Sequence, residues 1–461
     1  MFQKISYIIM SFFLISCAGV QKGKPPFENG QSDSIFVNLE VHKETLPNGL
    51  RVLIVENHNL PIFSYYTFFD VGSRFEKDGQ TGASHFLEHL MFKGAKKYGP
   101  GIFDTSIEKN GGSTNAYTTN DLTVYHENMP ASSLEMIMDM EADRMVNLSL
   151  DPVTFESERQ VVLEERKLRY ENSPQGKIYL TMMKKVFKSS PYEGSVIGEE
   201  TDLRSLSRDN VQQYFKRYYS PNNAVLVIVG DVSVGKTMSL IRKKFGDLPP
   251  SGDLEKEKSP LEFEDLYKHK GKYPQEISLQ GSSPDPIFIF AYKGIKSGTR
   301  ESFVLDMLSS ILAEGESSYL NRLYVQNAWP ELSSIGASNY TLKKNGVFFV
   351  QGTLLKRTDL NSFKKKYLKD SESFCEGAID ERSLQKTKNQ YYVSYYDELD
   401  SNSGVAQLIG LREIFYNDYK FYLKELEAYN SISLIELKHA CNDVFKGNKS
   451  IFLNIWAGNK N

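Results

Sequence analysis

His85-Phe86-Leu87-Glu88-His89 lies within residues 82–95, where apolar residues recur at helical spacing. No other feature restricts the fold as strongly. Positions four apart on a helix share one face, so both imidazoles point the same way with a carboxylate beside them. Zn²⁺ favours nitrogen ligands of this kind, and a catalytic site needs a third protein ligand and an open position. The chain must therefore fold so that a second, acidic element meets this helix.

Glu88 is placed to take a proton from a water held by zinc, which lowers the pKa of that water to about 7. The H-x-x-E-H spacing is the order of the inverted zincins. The competing reading is a surface helix that holds two His and a Glu by chance, an uncommon match in a chain with 7 His. For the third ligand, residues 152–170 read as a charged amphipathic helix, with Asp151 as cap and Pro152 at its first position. It offers Glu156, Glu158, Glu164, Glu165 and Glu171. Glu158 and Glu165 are two turns apart and share a face, so one could bind the metal while the other holds a ligand His. Spacing does not choose between Glu164 and Glu165, and a solvated acidic face would look the same.

The 461 residues exceed one ordinary core and suggest two to three domains. A net charge of −3 and the lack of a long basic run give no reason to expect nucleic acid as a partner. The N-terminus is distinct: one basic residue in Met1 to Lys4, an apolar run to Ile15, then Ser16-Cys17. This is a secretory signal, too short to span a bilayer, and its end resembles the lipobox of bacterial lipoproteins. Residues 1–17 are therefore expected to be a lipoprotein signal peptide with Cys17 lipidated, and 18–38 a flexible tether. Ala18, where an inner-membrane lipoprotein often has Asp, points to the bacterial envelope at the outer membrane, facing the periplasm. Cys375 and Cys441 could pair in an oxidising compartment, but the preferred reading is two ordinary buried apolar residues.

Strands are expected at 50–55, 61–70 and 224–229, a β-rich stretch at 113–125, and a helix at 131–147. A polar stretch follows Phe245-Gly246, giving a first domain at 39–248, a linker at 249–284 and a second domain at 285–461. The second is expected to hold strands near 287–292 and 333–354 and helices near 300–313, 319–327, 359–370, 380–396 and 403–443. Its last strand, 450–456, ends in Ala457-Gly458-Asn459 and echoes Val225 to Gly230 before Asp231, a sign of two halves of similar plan. Gly230 to Thr237 also satisfies G-x-x-x-x-G-K-T after an apolar strand, the pattern of a phosphate-binding loop and an NTPase. Asp231 would repel phosphate there, and no clear strand ends in a metal-binding Asp.

Further stretches carry a resemblance. They are Val71 to Glu76, Gly82-Ala83-Ser84 before His85, Met91 to Gly94, Gly111 to Thr118, Arg159 to Glu165, Ser190-Pro191-Tyr192, Val196-Ile197-Gly198 and Tyr219 to Asn223. In this order they resemble the pitrilysin and mitochondrial processing peptidase family, over nearly the whole mature chain. The resemblance implies an α+β fold of two homologous α/β-roll halves, closing like a clamshell around a chamber. It implies one Zn²⁺ per chain, held by His85, His89 and Glu165, with Glu88 as general base. The family's Val-x-x-Glu pattern, met by Val162 and Glu165, prefers Glu165 over Glu164, and Glu158 falls on the helper carboxylate. Asn115 and Ala116 fall where the family pairs main chain with an extended peptide substrate.

One departure stands out. Active single-chain relatives place an Arg and a Tyr, seven apart, in the second half to hold the substrate carbonyl. Here Tyr324 or Val325 stands at the Arg position and Glu331 or Leu332 at the Tyr position, while Arg322 and Trp329 have the spacing but not the register. An oxyanion donor is worth about 2.7–4 kcal/mol. The resemblance therefore implies either a heterodimer, in which a homologous partner supplies Arg and Tyr, or a homodimer. The alternative is a weak or inactive binding or assembly subunit on the same fold.

Overall fold

The computed structural model describes residues 37–252, 254 and 274–456. The signal peptide with Cys17, and all but the end of the tether, lie outside these residues. Among the described residues no helix is long and apolar enough to cross a membrane.

The first half is built on β1 (His42–Thr45), β2 (Arg51–Glu56), β3 (Ile62–Phe69), β4 (Ser113–Thr118), β5 (Thr123–Pro130) and β6 (Ala224–Gly230). The second uses β7 (Gln275–Gln280), β8 (Ile287–Lys293), β9 (Leu332–Thr341), β10 (Gly346–Leu354) and β11 (Ile451–Trp456). The sheets run β1-β2-β6-β3-β5-β4 and β7-β11-β8-β10-β9. In each, the last strand enters between the first two of a common pattern: β6 runs parallel to β2 and antiparallel to β3, and β11 runs parallel to β7 and antiparallel to β8. The echo between the two strand ends thus reflects a repeated topology.

β7 corrects the linker expected at 249–284. Gln275–Gln280 alternates half-buried and exposed side chains and forms the outer strand of the second sheet. Its polar residues look like linker because an edge strand presents only one face to the core.

The helices of the first half are α1 (Ala83–Met91), α2 (Ile102–Lys109), α3 (Leu134–Val146), α4 (Pro152–Arg166), α5 (Pro174–Val186), α6 (Glu200–Ser205), α7 (Arg208–Tyr218) and α8 (Val234–Phe245). Those of the second are α9 (Arg300–Ala313), α10 (Tyr319–Tyr324), α11 (Leu360–Ser371), α12 (Phe374–Gly377), α13 (Glu381–Leu399), α14 (Asn402–Tyr416), α15 (Phe421–Ser431) and α16 (Leu434–Phe445). The expected helical region 403–443 is three helices. Asn417 adopts a left-handed conformation that ends α14, and Ser433 caps α16.

The halves are interlocked. Ile178, Met182 and Met183 of α5 pack with Ile287, Ile289 and Leu453 of the second sheet, while α14 of the second half lies on β3 and β6. Polar contacts pin the exchange. Buried Asp121 pairs with Arg74 at 2.6 Å and accepts from Tyr192 Oη at 2.7 Å and the Lys343 backbone N–H at 2.9 Å. Buried Glu413 accepts from Lys43 Nζ at 2.8 Å.

Cys375 and Cys441 are joined in a disulfide, which overturns their reading as unpaired residues. Both are buried, as that reading required, but α12 and α16 bring their Cα atoms to 5.5 Å, within bonding range. The bond closes a loop across a sequence separation of 66 residues. Removing it with a Cys375→Ala, Cys441→Ala double variant should cost about 2–4 kcal/mol, read as a lower midpoint in urea unfolding against the oxidised protein.

Candidate metal centre

Helix α1 starts where the chain can turn sharply. Gly82 has φ 87°, and a Cβ there would lie 2.5 Å from Ile197 O; Gly198, with the same φ, abuts Gly82 in return. Two motifs far apart in sequence are thus one backbone contact. Glu76 closes the helix start by accepting from the backbone N–H groups of Gly82 at 2.7 Å and Ser84 at 2.8 Å. Phe86, Leu87 and Leu90 enter the core, which leaves His85, Glu88 and His89 on the other side.

Helix α4 begins as its cap residues predict: Asp151 accepts from the Thr154 N–H at 2.9 Å and Pro152 fills the first position. Phe155 and Val162 join the α1 core, and the Phe86 and Phe155 rings meet at 4.9 Å. Arg159 and Arg166 tie the helix to the carbonyls of Leu206 and Gly198 at 2.8 Å each.

The packed helices bring His85, His89 and Glu165 together. Glu165 Oε2 lies 3.3 Å from His89 Nε2 and 3.8 Å from His85 Nε2, and the three potential ligand atoms fall within 4.8 Å of one another. Ligands about 2.0–2.1 Å from a tetrahedral zinc stand about 3.3 Å apart, so this donor set fits the ion. His89 Nδ1 faces Glu158 Oε2 at 3.5 Å. Glu164 points away, with a side chain 68% exposed. Glu88 accepts from Thr118 Oγ1 at 2.5 Å, a partner that helical spacing cannot reveal although Thr118 ends the Gly111 to Thr118 stretch. Asn115 and Ala116 lie on β4, which among the described residues is the outermost strand and pairs with β5 alone. The Ala116 N–H donates to Asn115 Oδ1 at 2.9 Å.

The electrostatics follow from burial and neighbours. Burial and adjacent His89 hold the His85 imidazole down, at about 3. Burial also opposes charge on His89, but Glu158 and Glu165 outweigh it and lift it to about 9. Glu165 is opposed by burial yet brought to about 2 by His89, His85 and Arg169. Burial raises Glu88, with the Thr118 hydroxyl acting against it.

The second half does not offer the Arg and Tyr of single-chain relatives at the expected positions. Tyr324 is buried and donates to Asp370 at 3.0 Å, Glu331 pairs with Lys366 at 2.6 Å, and Leu332 is in the core. Trp329 is 84% exposed. The phosphate-loop reading also fails. Glu56 occupies the start of α8, accepting from the Val234 N–H at 2.6 Å, and Thr237 is fully buried. A phosphate would meet that carboxylate and Asp231.

Residues 51–200 match the family model described as Insulinase (Peptidase family M16), and 205–391 match Peptidase M16 inactive domain. The chain is 29% identical to Zinc protease PqqE of Helicobacter pylori, over 88% of this chain and 90% of that one. It is 25% identical to Mitochondrial-processing peptidase subunit beta of Caenorhabditis elegans, over 90% and 89%. The crystal structure of a protease from Helicobacter pylori superposes with a TM-score of 0.81 at 27% identity, covering 90% of this chain and 99% of that one.

At pH 7 these shifts leave His85 neutral, Glu165 ionised and His89 protonated. Metal uptake by the three must displace the His89 proton, so affinity should weaken as pH falls below about 9. Calorimetry at pH 7 in buffers of different ionisation enthalpy should show about one proton released per Zn²⁺ bound. No release would mean that His89 is already neutral at pH 7, against the raised pKa.

Proposed function

Since the chain belongs to peptidase family M16, we propose that it is a zinc metalloendopeptidase acting on extended peptides or small unfolded segments. The observation that carries this reading is the convergence of His85, His89 and Glu165 beside Glu88. His85, His89 and Glu165 would hold the zinc. Bound zinc supplies Lewis-acid polarisation of a carbonyl and acidification of water.

The chain's own groups do the rest. Glu88 takes a proton from the attacking water on its carboxylate and returns it to the leaving amine. Burial raises its pKa, which suits a group that must both accept and release a proton near neutrality. Thr118 Oγ1 orients it. Thr118 lies on the same strand as Asn115 and Ala116, so a peptide added to the free edge of β4 runs directly past Glu88. A substrate carbonyl can take over the Ala116 N–H from Asn115.

The buried Tyr324 and paired Glu331 favour completion of the site by a homologous subunit that carries the Arg and Tyr. A catalytically weak binding subunit is the second reading, favoured by the same two residues. The N-terminal signal and the disulfide both fit an oxidising envelope compartment, with Cys17 as a lipid anchor at the outer membrane.

The test is cleavage of a quenched fluorescent peptide, with and without a co-expressed homologous chain. Glu88→Gln should lower the rate by about 10²–10⁴-fold, and a chelator should abolish it. The rate should also fall on acidification through the raised Glu88 pKa, where the base becomes protonated. Cleavage that survives both chelator and Glu88→Gln would refute the proposal.

A further inference from the structure

The two carboxylates of α4 that face the histidines are each gripped from behind by a cation. Glu165 turns Oε2 to His89 and His85, while its Oε1 is held by Arg169 Nη2 at 2.9 Å. Glu158 turns Oε2 to His89 Nδ1, while its Oε1 is held by Lys93 Nζ at 2.9 Å. The arrangement repeats although the cations come from different places: Lys93 follows α1, and Arg169 sits on the π-helical turn Lys167–Glu171.

We propose that Lys93 and Arg169 are positioning residues that decide which oxygen each carboxylate presents, an inference that rests on the metal reading above. A carboxylate offers two equivalent oxygens, and a metal ion readily takes both or draws in a second carboxylate. With Oε1 of Glu165 engaged by Arg169, only Oε2 remains for the ion. With Oε1 of Glu158 engaged by Lys93, its Oε2 stays on His89 Nδ1 and fixes the ring with Nε2 toward the ion. The division of labour between Glu165 and Glu158 then comes from their outer partners.

Both cations are partly exposed, Lys93 37% and Arg169 45% by side chain, so as plain surface ion pairs they would contribute little to stability. The backbone under Arg169 is nevertheless fixed. A Cβ on Gly176 would lie 1.9 Å from Arg169 O, so α5 can seat against this turn only because residue 176 is Gly. Such turns recur at functional sites.

The test compares wild type, Arg169→Met, Arg169→Lys, Lys93→Met and the exposed control Glu164→Gln. Zinc affinity is read by chelator competition, and geometry by the visible spectrum of the Co²⁺-loaded protein. Arg169→Met and Lys93→Met should each weaken zinc binding by about 10–100-fold with thermal unfolding unchanged. Arg169→Met should also weaken the Co²⁺ bands, as the freed oxygen raises the coordination number, and Arg169→Lys should restore them. Wild-type affinity and spectrum in both Met variants would overturn the inference while leaving the metal reading intact. A wild type that takes up neither metal would overturn the metal reading itself. Should Arg169→Met not fold, Lys93→Met carries the same test on the other carboxylate.

Discussion

The contact between α1 and α4 governs the rest of the site. Phe86, Leu87 and Leu90 meet Phe155 and Val162 in one core, with two rings at 4.9 Å. That apolar contact sets the separation of the helices, and the separation sets how far two imidazoles stand from a carboxylate. Truncating such a buried aromatic costs about 3–5 kcal/mol, so the chemistry shares its support with the fold. The polar groups could not impose this geometry alone. Burial opposes charge on all three groups, and charge on His89 works against charge on His85.

A second layer of constraint comes from the exchange between halves. α5, which continues from the turn beyond Glu165, is buried against the second sheet, while α14 returns the contact on the first. Asp121, close in sequence to the free edge strand β4, receives a backbone hydrogen bond from Lys343 of the other half. Edge strand β4, the Glu165-bearing helix and the second sheet are thus one mechanical unit. Movement of either half would be felt at β4 and α4 together.

Much of this was legible in the sequence. The pair His85 and His89 with Glu88 follows from helical spacing, and α4 from its Asp-Pro start and its run of Glu. What spacing left open was the choice between Glu164 and Glu165, because neighbours on a helix differ by only about 100° of rotation. Packing of Phe155 and Val162 supplies that angle, and with it Glu165 faces inward. The disulfide was missed because a long sequence separation says nothing of the distance between α12 and α16. β7 was missed because its polar alternation looks like a linker. The roles of Glu76 and Thr118 needed three-dimensional neighbours, since each was visible only as a residue in a motif.

One zinc is proposed to sit between His85, His89 and Glu165. Crystals of the purified protein, measured just above and just below the zinc absorption edge, test it most directly. A single anomalous peak per chain is expected, bounded by the two imidazoles and the Glu165 carboxylate, at about 2.0–2.2 Å from each. A zinc-loaded protein whose only peak lies elsewhere, or none at this triad, would contradict it.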